Sequence, residues 1–141
     1  VIGDYDGDGK ADIAIWRASL GQWWIRRSSN TSVYALNFGG AADRPVPGDY
    51  TGDGKTDVAI FRPATGEWYV LRSEDNSFYS APFGTNGDVP VPGDYDGDGR
   101  NDLAIYRLAG STWYVNRSTA GLLVRNFGAS GDRPVPSVYV P

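Results

Sequence analysis

The sequence predicts an all-β chain of three tandem four-stranded antiparallel units, followed by an extra C-terminal strand. Three observations carry this expectation. Gly (19) and Pro (9) make about a fifth of the 141 residues and aromatics 13%, a mixture that suits short strands separated by turns. No segment of useful length places apolar residues at helical spacing. Above all, the sequence repeats every 45 residues, and periods of roughly 20–50 residues mark arrays, solenoids or propellers.

The repeat is in register throughout. The run Gly3 to Asp12 returns at Gly48 to Asp57 and at Gly93 to Asp102. Apolar segments follow each copy: Ile13 to Arg17, Val58 to Arg62 and Leu103 to Arg107. Aromatic pairs recur at Trp23-Trp24, Trp68-Tyr69 and Trp113-Tyr114, and Phe-Gly steps at Phe38, Phe83 and Phe127. The last step comes one residue early because the third copy is one residue shorter. Repeats are therefore drawn at 1–45, 46–90 and 91–134, with 135–141 the start of a truncated fourth.

Within a copy, the first strand is the Pro45 to Tyr50 approach and the second is the apolar run after the acidic loop. The third carries the aromatic pair (Trp23 to Arg27), and the fourth ends in Phe-Gly (Val33 to Gly39). Gly-containing turns, Ser19-Leu20-Gly21 and Ala64-Thr65-Gly66, separate second from third as hairpins require. Four antiparallel strands per copy is the arithmetic of a propeller blade.

The acidic loops carry the chemistry. In the first, Asp4, Asp6, Asp8 and Asp12 stand at positions 1, 3, 5 and 9, with Gly9 at position 6. Alternate residues of a tight loop converge their oxygens, and the glycine lets a position-7 carbonyl turn inward. The second loop offers Asp49, Thr51, Asp53 and Asp57; the third offers Asp94, Asp96, Asp98 and Asp102. Lys10, Lys55 and Arg100 occupy position 7, where the backbone oxygen would ligate while the charged side chain points to solvent. Such a set suits Ca²⁺, which takes about six to eight oxygens at flexible angles, better than Mg²⁺. Asp-Gly clusters are also ordinary turn formers. Against that reading, the loops hold eleven of the seventeen acids. Three or four like charges within a few ångströms cost on the order of several kcal/mol without a cation. Three Ca²⁺ would turn net −4 into +2. Thr51 carries no charge, so the second site is expected to be the weakest.

Composition removes other chemistries. Cys, Met and His are absent, so no thiolate, imidazole base, disulfide or His-ligated zinc exists, and no Ser stands beside a possible base. An acidic chain argues against a nucleic-acid partner, and no apolar run approaches membrane-spanning length. The expectation is a protein that is not an enzyme.

The Asp-x-Asp-x-Asp-Gly-x-x-Asp loops and the Phe-Gly-Gly-Ala element at Phe38 to Ala41 resemble the FG-GAP/VCBS repeat family of integrin-α-type β-propellers. That resemblance covers essentially the whole chain. It implies calcium on the loop between the first two strands of each blade and an extracellular or cell-surface location. It leaves function open among structural arrays, adhesion heads and lectins.

Neighbouring strand residues face opposite sides, so one member of each aromatic pair is expected in the core and the other on a face, where it could stack on a glycan. Arg17, Arg62 and Arg107, with Arg27, Arg72 and Arg117, are expected to stack on aromatics and to pair with Asp43, Asp88 and Asp132 between copies. Asn30-Thr31-Ser32 and Asn116-Arg117-Ser118 match the N-glycosylation acceptor pattern. At the C-terminus Arg133-Pro134-Val135-Pro136 begins a fourth copy, but Val138 and Val140 stand where acidic ligands would be. Either this segment adds as a strand to another copy, head to tail through 135–141 and the exposed blade faces, or the chain is part of a longer propeller. The expected role is a self-associating structural repeat, as in a filament, array or multi-chain propeller. The alternative is a carbohydrate-binding lectin or adhesin domain.

Overall fold

The computed structural model of the chain describes residues 2–136. It contains three four-stranded antiparallel sheets, each ordered as in sequence and none closed into a barrel. The first comprises β1 (Ile2–Gly3), β2 (Asp12–Arg17), β3 (Gln22–Arg26) and β4 (Val33–Asn37). The second comprises β5 (Arg44–Pro45), β6 (Val58–Arg62), β7 (Glu67–Leu71) and β8 (Phe78–Pro82). The third comprises β9 (Val89–Pro90), β10 (Leu103–Arg107), β11 (Thr112–Arg117) and β12 (Gly121–Asn126). One 3₁₀ turn, Ala18–Leu20, is the only helical element among the described residues.

Strand edges differ from the sequence reading for identifiable reasons. The first strand of a unit starts at Arg44, and its ladder breaks after Pro45 because prolines at 45 and 47 lack the N–H a ladder needs. Pairing resumes at Val46 N to Ala59 O and ends in the Gly48–Asp57 bridge, so Asp49 and Tyr50 already belong to the loop. The third strand begins at Gln22 and ends at Arg26. The fourth stops at Asn37, because the Phe38 carbonyl accepts the Trp23 indole N–H at 3.0 Å. Phe83 and Phe127 do the same for Trp68 and Trp113, at 2.7 and 3.0 Å. Of the expected extra strand, residues 133–136 form none. Residues 137–141 lie outside the described residues.

The sheets stack face to face. Tyr5, Ala14, Trp23 and Ile25 of the first pack on Val58 and Ile60 of the second. Ala59, Phe61, Trp68 and Val70 of the second pack on Leu103 and Ile105 of the third. Val91, Ala104, Tyr106 and Val115 form a third cluster beyond. The first two aromatic pairs divide as alternation requires, with Trp23 and Trp68 fully buried and Trp24 and Tyr69 half-buried on the opposite face; in the third pair Trp113 and Tyr114 are both half-buried. Cross-strand partners reinforce the core, with Trp16–Trp23, Phe61–Trp68 and Tyr106–Trp113 centroids 5.2, 5.4 and 5.2 Å apart. β6 is buried on both faces because it lies mid-stack. The matching residues of β2 are not covered: Ile13 and Ile15 are 67% and 53% exposed, against 5% and 1% for Val58 and Ile60.

Candidate metal centres

Each acidic loop links the first two strands of its sheet and is folded by its own leading aspartate. Asp4 Oδ1 accepts the Gly7 and Asp8 amides at 2.7 and 3.2 Å, and Oδ2 accepts Gly9 N at 2.8 Å. Asp49 takes Gly52, Asp53 and Gly54 at 2.6, 3.3 and 2.9 Å. Asp94 takes Gly97, Asp98 and Gly99 at 2.6, 3.2 and 2.9 Å. This winding puts Gly7 and Gly9 at φ 80° and 84°, a left-handed backbone that a side chain would strain. The position-5 carboxylates accept the position-7 amides, Lys10, Lys55 and Arg100, at 2.9, 2.9 and 2.8 Å.

Carboxylate oxygens of Asp4, Asp6 and Asp8 converge within 4.8 Å in the first loop, and those of Asp94, Asp96 and Asp102 in the third. Asp12 and Asp98 stand outside these clusters, and the second loop, with Thr51, brings no three carboxylates together among the described residues. Oxygens so gathered can hold a hard cation.

The position-9 aspartates do more than face the loop. Asp12, Asp57 and Asp102 are buried, each with both oxygens engaged. One accepts the amide of Tyr5, Tyr50 or Tyr95 at 2.8, 2.8 and 2.9 Å. The other accepts Ser28, Ser73 or Ser118 N at 2.7, 2.7 and 2.8 Å, which ties the loop to the turn after the third strand. Burial pushes the Asp57 carboxyl above the usual carboxylate range, and the Asp49 charge adds to this, while hydrogen bonds from Ser73 and Tyr50 act the other way.

That turn supplies partners the sequence reading passed over. Ser28, Ser73 and Ser118 hydroxyls donate to Asp8, Asp53 and Asp98 Oδ2 at 2.9, 2.9 and 2.6 Å. Ser29 and Thr119 hydroxyls donate to Asp6 and Asp96 Oδ2 at 2.6 and 2.7 Å, and these bonds hold both carboxyls below their usual range. The signal was present, since Ser follows Arg27, Arg72 and Arg117 in every copy.

Position-7 side chains do not all point to solvent. Exposed Lys10 fits that expectation, but the Lys55 and Arg100 stems lie on Gly7 and Gly52 of the preceding loop, where an added Cβ would meet them at 3.0 and 3.1 Å. Backbone bonds follow the same path: Thr56 N donates to Asp4 O, and Asn101 N to Asp49 O, both at 2.6 Å. At the other end of the sheets Arg62 grips Asp43 through Nε and Nη2 (2.9 and 2.8 Å), and Arg107 grips Asp88 at the same distances. Among the described residues Arg17 has no such carboxylate and lies over Trp24, and Asp132 accepts only the Ala129 amide. Arg27, Arg62, Arg72 and Arg107 cover Tyr34, Tyr69, Tyr79 and Tyr114. Arg117 instead donates to the Ala120 and Gly121 carbonyls, since Leu122 and Leu123 follow where a tyrosine stands in the other copies. Asn30 and Asn116 are exposed. A cleft of about 470 Å³ opens between the first two sheets, lined among others by Asp6, Arg27, Tyr34, Lys55 and Arg72.

The profile of FG-GAP-like repeats matches residues 4–60 and again 49–105, each match running from one acidic loop into the strand after the next. No curated protein and no solved structure gives a significant match. The two overlapping matches together cover residues 4–105, all three acidic loops and the first two sheets among them, and the chain belongs to the FG-GAP-like repeat family.

Proposed function

We propose that the chain is a non-catalytic calcium-binding repeat protein of extracellular or surface location, whose sheets act as propeller-like blades and stack further against other copies. The observation that carries the calcium reading is the threefold recurrence of one wound loop whose carboxylates form no ion pair among the described residues. The only two ion pairs among the described residues use Asp43 and Asp88, outside the loops. One Asp96 oxygen, Oδ1, is buried without a hydrogen-bond partner, as suits an atom reserved for a cation. The holding residues would be Asp4, Asp6, Asp8 and Asp12, then Asp49, Thr51, Asp53 and Asp57, then Asp94, Asp96, Asp98 and Asp102. The carbonyls of Lys10, Lys55 and Arg100 would complete each set. Bound Ca²⁺ supplies charge neutralisation to the loops and nothing catalytic. Calorimetric titration of chelator-stripped protein tests this: about three equivalents are expected, and no heat would reject it.

Extracellular placement and lack of catalysis rest on the family, which is largely one of structural and adhesion repeats common in extracellular or surface proteins. Self-association rests on the exposed Ile13 and Ile15, which occupy the positions that dock when they are Val58 and Ile60. Light scattering at rising concentration should show mass increasing beyond 15.2 kDa, and Ile15→Lys should abolish the increase. A second reading, binding of glycans or another small polar ligand, rests on the cleft beside Arg27 and Arg72 rather than on the aromatic pairs, of which Trp23 and Trp68 are buried. Glycan-array binding lost in Arg27→Ala would favour it.

A further inference from the structure

We propose that Glu74 supplies the carboxylate that Thr51 withholds, so that the second loop is a full calcium site rather than the weakest of the three. This rests on the calcium reading above. In the first and third sheets, position 3 of the loop faces the residue 23 places later across one gap. Ser29 Oγ lies 2.6 Å from Asp6 Oδ2, and Thr119 Oγ1 lies 2.7 Å from Asp96 Oδ2. In the second sheet the same two positions hold Thr51 and Glu74. Each facing pair therefore contains one carboxylate and one hydroxyl, and the second pair is inverted.

The reach is adequate. Ser29 Oγ bonds the Asp6 carboxylate at 2.6 Å, so the Cβ behind it stands within about 4 Å of that oxygen, one carbon–oxygen bond further. A glutamate carries its carboxylate oxygens about that far beyond its own Cβ, two carbon–carbon bonds and one carbon–oxygen bond away. The neighbouring backbone is anchored to the loop, since Ser73 N donates to Asp57 at 2.7 Å and Ser73 Oγ to Asp53 at 2.9 Å. Glu74 itself is exposed and has no hydrogen bond or ion pair among the described residues, so nothing must be broken for it to turn inward. Thr51 meanwhile directs its hydroxyl to Asp49 Oδ1 at 3.4 Å. With Glu74 counted, each of the three sites has four carboxylates, and calcium affinity follows ligand charge.

The test is a Ca²⁺ titration of the ¹⁵N-labelled full chain, following the amides of Gly9, Gly54 and Gly99, one per loop. In the wild type all three should saturate over the same concentration range. Glu74→Gln should weaken the Gly54 response by about tenfold or more and leave Gly9 and Gly99 unchanged. The double variant Thr51→Asp, Glu74→Ser, which copies the first loop, should restore it. A Gly54 response already far weaker in the wild type, or one unmoved by Glu74→Gln, overturns the role of Glu74 while the calcium reading stands on Gly9 and Gly99. Silence of all three glycines overturns both.

Discussion

Replacing Asp57 by Asn separates two duties that one side chain performs. Asp57 is 0% exposed and accepts the Tyr50 and Ser73 amides at 2.8 and 2.7 Å. An Asn keeps one acceptor oxygen and sets its NH₂ against the other amide. One charge-assisted bond is lost and a buried N–H is left without an acceptor, which together cost about 3 kcal/mol. That is a large part of the roughly 5–15 kcal/mol that holds a typical domain. Guanidinium unfolding in excess chelator should therefore show a lower midpoint with an unchanged slope. Asp53→Asn is the control. Its carboxylate is exposed and bonded at the rim, so chelated protein should stay close to wild type and the defect should show only when calcium is added. If Asp57→Asn falls within about 1 kcal/mol of wild type in chelator, the aspartate is a ligand and no more, and the reasoning fails.

Trp68→Phe should cost about 2 kcal/mol by thermal unfolding, since it empties a fully buried site and strands the Phe83 carbonyl; half-buried Trp113→Phe should cost less, and the reverse order would contradict the burial. Gly66→Ala should destabilise far more than Gly87→Ala in urea. Both have positive φ, worth about 1 kcal/mol, but a Cβ at 66 would clash with the Gly84 carbonyl whereas that at 87 meets nothing within 4 Å. Burial, with the Asp102 charge adding, pushes the Tyr95 hydroxyl up to about 12, and burial likewise holds Tyr50 above the usual tyrosine range. Both stay protonated in the fold when unfolded tyrosines ionise at about pH 10, so their contribution is whole below that pH, and that of Tyr95 is lost as pH rises through about 12. Absorbance at 295 nm should show a late-ionising class that joins the normal one on denaturation.

The four antiparallel strands of each unit and the division of the first two aromatic pairs were legible in the sequence, because they follow from alternation and from one period repeated three times. Burial was not. Ile13 and Val58 occupy equivalent positions in like-patterned strands, yet one is open and the other covered, because cover comes from a neighbouring sheet and not from the strand itself. The loop carboxylates were found by spacing, but their partners were not, since Ser28, Ser29 and Thr119 lie 20 to 23 residues from the groups they bond. Position-7 side chains were misplaced for a related reason. A lone loop offers Lys55 only solvent, whereas the preceding loop offers it the bare surface of Gly7.

The row of loop-to-loop bonds gives the stack a polarity. Every link runs from an amide in the later sheet to a carbonyl in the earlier one, Thr56 to Asp4 and Asn101 to Asp49. The two ends of the row are thus chemically unlike: Ala11 occupies the donor position at one end and Asp94 the acceptor position at the other. Growth by the same contact can join only unlike ends. A two-fold symmetric pairing would set amide against amide or carbonyl against carbonyl, so this contact can build rings or open helices but never an isologous dimer.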